Sequence, residues 1–229
     1  VTFLGTGTSQ GVPIITCNCE VCQSLDYHDK RLRSSIHINV QGKSLVIDSG
    51  PDFRQQMLRE RIQKLDALIF THEHKDHTAG MDDVRSFNFS QNMDMPVYAD
   101  ARVINQLKQE FAYVFAAKKY PGVPTVEVHE ISNTPFSIDN IQITPIEVMH
   151  YKLPVFGYRI NDFAYITDAK TIDKKEVKKL KGVKTLVINA LQEQEHISHF
   201  TLEEALEMIE KIKPEKAYLT HISHRLGFH

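Results

Sequence analysis

The 229-residue chain is predicted to be an α/β protein. Two observations predict it. Short apolar runs of strand character alternate with amphipathic segments of helical period, the pattern of layered α/β architecture. Polar residues able to bind metals recur where the strand-like runs end, on loops that a rigid scaffold can aim. No internal repeat or low-complexity linker interrupts this order, so a single domain over residues 1–229 is expected.

Val1-Thr2-Phe3-Leu4 reads as a strand entering the turn Gly5-Thr6-Gly7-Thr8-Ser9. That turn lacks a full dinucleotide fingerprint, and no Gly-Lys-Ser/Thr follows, so it is expected as a tight loop at the rim of a metal cleft. Residues 34–40 and 43–48 form a hairpin pattern around Gln41-Gly42. Pro51, whose missing N–H is harmless in a first turn, is expected to open a helix to about Gln63. Leu65–Thr71 is a buried-type strand, and a helix should begin near Thr78 or Ala79. A longer helix is expected from Asp100 to about Lys118, stopped by Pro121-Gly122-Val123-Pro124. Residues 125–130, 136–138, 141–148, 156–160 and 163–167 read as five successive strands. Lys174–Leu180 is a short helix and Lys184–Ile188 a strand. Thr201-x-x-Glu204 is a capping box for a helix with Leu202, Ala205, Leu206, Ile209 and Ile212 on one face, and Lys216–Thr220 is the last strand. The aromatics Phe87, Phe89, Tyr113, Phe115 and Tyr120 are expected mostly in the core, with a role in covering the cleft as the alternative.

Lys and Arg number 27 against 29 Asp and Glu, a net charge of −2. That balance supplies no overall drive toward nucleic acid or an anionic membrane. No apolar run is long enough to span a bilayer, and no signal-like start is present, so a cytoplasmic protein is expected. The three cysteines, Cys17, Cys19 and Cys22, fall within six residues. An odd, clustered set is a poor disulfide framework and suits a reduced compartment and a thiolate metal site.

The densest chemistry is Thr71-His72-Glu73-His74-Lys75-Asp76-His77. Imidazoles and a carboxylate this close suit zinc, manganese or iron. On extended backbone His72 and His74 alternate to one side and can share a metal, while Glu73 points away. Asp76 and His77 project differently and suit a second metal. His150, Asp168 and His221 each follow a strand-like run, and a carboxylate such as Asp168 can bridge two cations. Two ions about 3.5–4 Å apart can share a hydroxide that is a strong nucleophile at neutral pH, and can hold two oxygens of a phosphate. Asp48, at a strand-to-helix junction, is expected to orient a ligand histidine, or else to cap the helix. Arg33, Arg54 and Arg225 can contact phosphate but are expected as ordinary surface cations, and His28, His37, His129 and His229 as structural or surface residues.

In this order of residues the chain resembles the metallo-β-lactamase-fold hydrolases over essentially its whole length. The resemblance implies a four-layer αβ/βα sandwich of two mixed sheets. It implies one metal on His72, His74 and His150 and a second on Asp76, His77 and His221, with Asp168 bridging. The run Thr2-Phe3-Leu4-Gly5-Thr6-Gly7-Thr8-Ser9 with Cys17-x-Cys19-x2-Cys22 resembles more narrowly the phosphoribosyl 1,2-cyclic phosphate phosphodiesterases. That branch implies a structural zinc on three cysteines and a late histidine, matched here by His224. It also implies a histidine 22 positions before the last ligand, matched by His199, which protonates the leaving oxygen or stabilises phosphate charge. His196 is the competitor, and His199 is preferred because it lies beside the capped helix start at Thr201.

The expected activity is therefore metal-dependent phosphodiester hydrolysis, by attack of a metal-bridging hydroxide on a small, cyclic or open, sugar phosphate or nucleotide. His199 and Asp76 are the candidate catalytic residues, and two divalent ions (Zn, Mn or Fe) plus one structural Zn are the expected cofactors. The partner is a small phosphodiester rather than a membrane or large nucleic acid, and a homodimer is left open. The main alternative is a tRNA 3′-processing endonuclease, which shares these ligands but carries a basic clamping arm that this sequence does not show. Thioesterase and β-lactam hydrolysis fit less well. A metal-binding sensor without turnover is the non-enzymatic alternative.

Overall fold

The computed structural model describes residues 1–229. The chain divides into two compact units, each holding one mixed β-sheet.

The first unit comprises residues 1–5 and 35–131. Its strands lie side by side in sequence order: β1 (Thr2–Gly5), β2 (Ser35–Val40), β3 (Lys43–Ile47), β4 (Ala67–Ile69), β5 (Met95–Ala99) and β6 (Val126–Glu130). The first three are antiparallel and the last four parallel. The β2–β3 hairpin closes on Gln41-Gly42, both at positive φ, as a two-residue turn of matching twist requires. Ala67, Leu68 and Ile69 are wholly buried, the signature of a strand covered on both faces. Leu4, Val46, Phe53, Leu68, Phe70, Val97, Val103 and Leu107 belong to this unit's core.

Four expectations need correction here, the first being the helix expected to begin near Thr78 or Ala79, which instead spans Lys75–Thr78 and ends there. The helix after Pro51 runs only over Phe53–Arg59: Pro51 and Asp52 stay in a turn, and Arg61 at φ 53° ends the helical path. The long middle helix is two pieces, Ala101–Glu110 and Ala112–Phe115, broken where Phe111 leaves helical geometry at φ −112° and ψ 42°. The strand β5 was not anticipated. Of the five aromatics expected in the core, Phe87 is buried and Phe115 partly so, but Phe89, Tyr113 and Tyr120 are exposed.

The second unit comprises residues 6–34 and 132–229. Its strands are β7 (Phe136–Ile138), β8 (Ile141–His150), β9 (Leu153–Ile160), β10 (Phe163–Ile166), β11 (Thr171–Ile172), β12 (Thr185–Asn189) and β13 (Lys216–Thr220). They are ordered β11-β8-β9-β10-β12-β13, with β7 beside β8. The hairpins β8–β9 and β9–β10 are antiparallel, whereas β10, β12 and β13 are parallel, with helices Lys174–Lys179 and Leu202–Ile212 on the crossovers. The expected capping box is present: Glu204 N–H donates to Thr201 Oγ1 at 3.2 Å, and Thr201 N–H donates to Glu204 Oε2 at 2.8 Å. Leu202, Ala205, Ile209 and Ile212 pack on a core with Ile146, Ile166 and Ile188. Leu206, expected on that face, is 52% exposed. At 3.6 residues per turn it lies roughly 90° from the centre of the apolar stripe, and Met208 takes its place. Gly7 carries the N-terminal turn against residues 31–34. A Cβ there would lie 2.6 Å from the Arg31 carbonyl, so the close approach requires glycine. No helix is long and apolar enough to cross a membrane.

Candidate metal centre

In the first unit the ligand candidates hang from the end of β4. Asp48, wholly buried at the end of β3, organises them. Thr71 donates its N–H to Asp48 Oδ1 at 2.8 Å and its hydroxyl to Oδ2 at 2.9 Å. Because that hydroxyl proton is committed, Thr71 Oγ1 accepts from His72 Nδ1 at 3.0 Å, which makes Nε2 of His72 the atom that could ligate a metal. His72 Nε2 then lies 3.0 Å from His74 Nδ1. Asp48 Oδ2 also accepts from His77 Nδ1 at 2.7 Å, directing His77 Nε2 outward, 3.1 Å from Asp76 Oδ2. Burial pushes the Asp48 carboxyl up, against the opposing pull of His77 and Thr71. On the far side of this loop, a Cβ on Gly50 would stand 2.0 Å from the Asp76 carbonyl, so the backbone of Gly50 is what supports it.

In the second unit each candidate ends a different strand. His150 closes β8 and donates Nδ1–H to the Ser198 carbonyl at 2.8 Å, since a carbonyl can only accept. Its Nε2 is thereby the atom that could ligate a metal. Asp168 follows β10; its Oδ2 accepts from the Thr167 hydroxyl at 2.6 Å and lies 3.1 Å from His221 Nδ1. His221 follows β13, and its N–H donates to Ser34 Oγ at 3.1 Å. Ligand atoms of His150, Asp168 and His199 all lie within 4.8 Å of one another. Asp48, Asp168 and His221 all sit at positive φ (66°, 57° and 54°), turning the chain sharply just past a strand end.

His199 is buried, with its ring stacked 4.8 Å from His221 and its Nδ1 3.8 Å from Asp168 Oδ1. That nitrogen has no hydrogen-bond partner. Burial drives the imidazole down to about 3, partly countered by Asp168, so it is neutral at pH 7. His196, its competitor, lies with its ring 5.1 Å away and is less enclosed.

A separate group completes the second unit. His224 Nδ1 is 3.3, 3.2 and 3.5 Å from the sulfurs of Cys17, Cys19 and Cys22. Hydrogen bonding from the Cys22 backbone and His224 brings the Cys19 thiol down to about 6, whereas burial raises that of Cys22 to about 11.

The donor sets fit metals. Tetrahedral zinc at the usual bond lengths places N and S ligands about 3.5 Å apart and two N ligands about 3.3 Å apart. The Cys17, Cys19, Cys22 and His224 spacing matches the first value. The 3.0–3.1 Å pairs His72–His74, His77–Asp76 and His221–Asp168 match edges of an N/O coordination polyhedron.

Spacing alone did not reveal the supporting groups. Asn189, at the end of β12, donates to the Ala169 carbonyl and accepts from the Ala169 N–H at 2.9 and 2.8 Å, fixing the turn that carries Asp168. A polar residue closing the apolar run Leu186-Val187-Ile188 was the available signal. Arg33 donates to the Ser9 carbonyl, His37 bonds Ser44, and His28 bonds Asp26 and stacks on His229, so these four are structural. His129 stacks on Tyr98.

Comparison with known proteins places this geometry. A crystal structure described as a new diphosphatase from the PhnP family is 39% identical and superposes with a TM-score of 0.92 over 98% of this chain and 86% of that one. Zinc-bound PqqB from Methylobacterium extorquens (18% identical, TM-score 0.79, 97% and 89% covered) and human short-form tRNase Z (16%, 0.77, 98% and 93%) share the fold. Among curated proteins, an octanoyltransferase of Porphyromonas gingivalis is 41% identical over 99% of this chain but only 46% of its own length. A ribonuclease Z of Staphylococcus epidermidis is 26% identical over 70% of this chain and 48% of its own length. The chain thus spans about half the length of the curated relatives it matches. Residues 43–222 match the family model of the beta-lactamase superfamily domain. With two mixed sheets flanked by helices, and the candidate ligands gathered past their strand ends, this chain belongs to the beta-lactamase superfamily, has the metallo-β-lactamase fold and is similar to the PhnP-family diphosphatase.

Proposed function

We propose that the chain is a metal-dependent phosphodiesterase acting on a small cyclic or open sugar phosphate or nucleotide in a reduced, cytoplasmic compartment. The observation that carries the reading is the group of half-buried His150 with buried Asp168 and His199, an N/O donor set within 4.8 Å. The ligands proposed are those given by the family order: His72, His74 and His150 for one ion, Asp76, His77 and His221 for the other, and Asp168 for both. Bound divalent ions would supply Lewis acidity and a hydroxide nucleophile at neutral pH. The protein's own part is orientation and charge. Asp48, Thr71 and the Ser198 carbonyl hold His77, His72 and His150 in the tautomers that ligation would need. Asp76 counters positive charge beside His77. His199 stands two residues before the capped start of helix Leu202–Ile212, where the helix dipole favours negative charge. A phosphate seated there would raise the His199 imidazole and let it protonate the leaving oxygen. Cys17, Cys19, Cys22 and His224 are proposed to hold a structural zinc.

A second reading follows from the 39% identical diphosphatase: the same groups would cleave a phosphoanhydride rather than a phosphodiester. The name octanoyltransferase belongs to a protein of which this chain covers less than half, and acyl transfer is not proposed. Metal-loaded protein should be assayed on cyclic phosphates, open phosphodiesters, nucleoside diphosphates and a tRNA precursor. Preferential turnover of the first two supports the proposal. Preferential turnover of diphosphates or of the RNA replaces it with that substrate class, and hydrolysis of thioesters or lactams alone rejects phosphoryl chemistry.

A further inference from the structure

Two residues of the ligand run, Glu73 and Lys75, carry no metal-binding role in the reading above, yet both are tied down. Glu73 lies between His72 and His74, and its two carboxylate oxygens accept from Arg102 Nε at 2.9 and 3.0 Å. Lys75 lies between His74 and Asp76, and its ammonium is 2.6 Å from Glu110 Oε2. Arg102 and Glu110 stand at opposite ends of one helix, Ala101–Glu110. That helix is firmly seated: Val103, Ile104 and Leu107 are buried in the core, and Asp100 caps its start by accepting from Val103 N–H at 2.8 Å.

The signs of these charges are informative. A helix favours acidic groups near its N-terminus and basic groups near its C-terminus. Arg102 in the first turn and Glu110 at the end are each of the opposite sign, so the helix itself gains nothing from them. Both have the sign that the ligand run needs. Asp100 Oδ2 holds Arg102 Nη2 at 3.3 Å, and Gln106 Nε2 donates to Glu110 Oε1 at 2.5 Å, so each partner is itself aimed by a neighbour on the helix.

We infer that Glu73–Arg102 and Lys75–Glu110 form a two-ended clamp that sets the spacing of His72, His74 and Asp76, with helix Ala101–Glu110 as its frame. These four are positioning residues, and the inference rests on the metal-binding reading of the run. The test is titration of Mn²⁺ alone into the metal-free full chain, with unbound Mn²⁺ read by electron paramagnetic resonance. Thiolate sites take this hard ion poorly, so the signal reports the N/O ligands. E73Q and R102Q should each weaken Mn²⁺ binding about tenfold, the usual scale for a partner that orients a ligand. The exchanged pair E73R/R102E should recover part of it, short of the full affinity because the new carboxylate at 102 faces Asp100, while the melting temperature of the metal-free protein stays within about 4 °C throughout, because a single half-exposed ion pair contributes about 1 kcal/mol or less to folding. Unchanged affinity in E73Q and R102Q, or a loss that the exchanged pair does not recover, overturns the clamp. Failure of the unaltered chain to bind Mn²⁺ or Zn²⁺ at the run overturns the metal-binding reading on which it rests.

Discussion

The two groups of candidate ligands are built in opposite ways. In the first unit His72, His74, Asp76 and His77 leave a single strand end within six residues, and the danger is that one loop flexes as a body. Its supports are correspondingly shared: Asp48 bonds both Thr71 and His77, and Gly50 backs the Asp76 carbonyl. In the second unit His150, Asp168 and His221 end β8, β10 and β13, and His199 comes from the segment before the last helix. Parallel strands already fix where those ends lie, so each turn needs its own support, from Ser198, Asn189 and Ser34 respectively. A contiguous motif depends on a few shared braces, whereas a distributed set depends on many separate ones.

The largest expected effect comes from removing a donor itself. Asp168→Ala should lower kcat/KM by at least about 10³-fold, the scale of losing a major electrostatic group in a site. Metal analysis should show the loss of at least one N/O-bound ion with the cysteine-bound zinc retained. Full activity with both N/O-bound ions still present would show that Asp168 is not a shared ligand.

Removing a private brace should come next. Asn189→Ala leaves the buried N–H of Ala169 without a partner, while its carbonyl keeps the Phe200 N–H at 2.7 Å, a cost of about 1–3 kcal/mol from one unsatisfied group. Urea unfolding should report that loss in the midpoint, and the damage to metal binding should be confined to Asp168. A shift below about 0.5 kcal/mol would mean that water substitutes for the amide, and that distributed ligands are less dependent on their braces than the structure suggests.

Asp48→Asn probes the shared brace. The amide oxygen can keep accepting from the Thr71 N–H, but the NH2 then faces His77 Nδ1, and two donors repel unless the imidazole changes tautomer. Metal affinity should fall about 10- to 100-fold, with less effect on folding because burial already disfavours the charged carboxyl. Calorimetric titration that showed only one ion weakened would localise the effect to His77 and exclude a shared role through Thr71 and His72.

The same contrast explains what was legible beforehand. The contiguous run, the Gln41-Gly42 hairpin and the Thr201–Glu204 capping box are local patterns, and local physics decides them. The strand β5 was hidden because Pro96 reads as a break. It is tolerated because the register between β4 and β5 begins only at Leu68↔Val97, so at Pro96 the ladder toward β4 has not started. The helix expected through Lys118 breaks at Phe111, whose burial against the core overrides the helical pattern around it. Asn189 and Arg102 were invisible as functional residues because their partners lie 20 and 29 positions away, and no period or spacing encodes such pairs.

The smallest effect sharpens the comparison by testing a buried charge that supports no ligand. Glu176 bonds Lys179 at 2.8 Å, the Glu147 N–H at 2.9 Å and Asn133 at 3.1 Å, tying the helix Lys174–Lys179 to β8. Burial alone would raise its carboxyl, but Lys179 and these donors outweigh that and hold it below the ordinary 4.5. A group whose folded pKa is depressed binds fewer protons folded than unfolded. Its contribution is therefore complete above about pH 4.5 and is lost as pH falls through the folded value. Glu176→Gln should cost about 1–2 kcal/mol at pH 7, since hydrogen bonds to charged groups exceed neutral ones, and that difference from the unaltered protein should shrink toward zero in acid, below the depressed folded value. Metal affinity should not move at all. A stability difference that is the same at pH 7 and in acid would assign the effect to shape rather than charge. A change in metal affinity would show that β8 transmits strain to His150, so that even the distributed ligands are not braced independently.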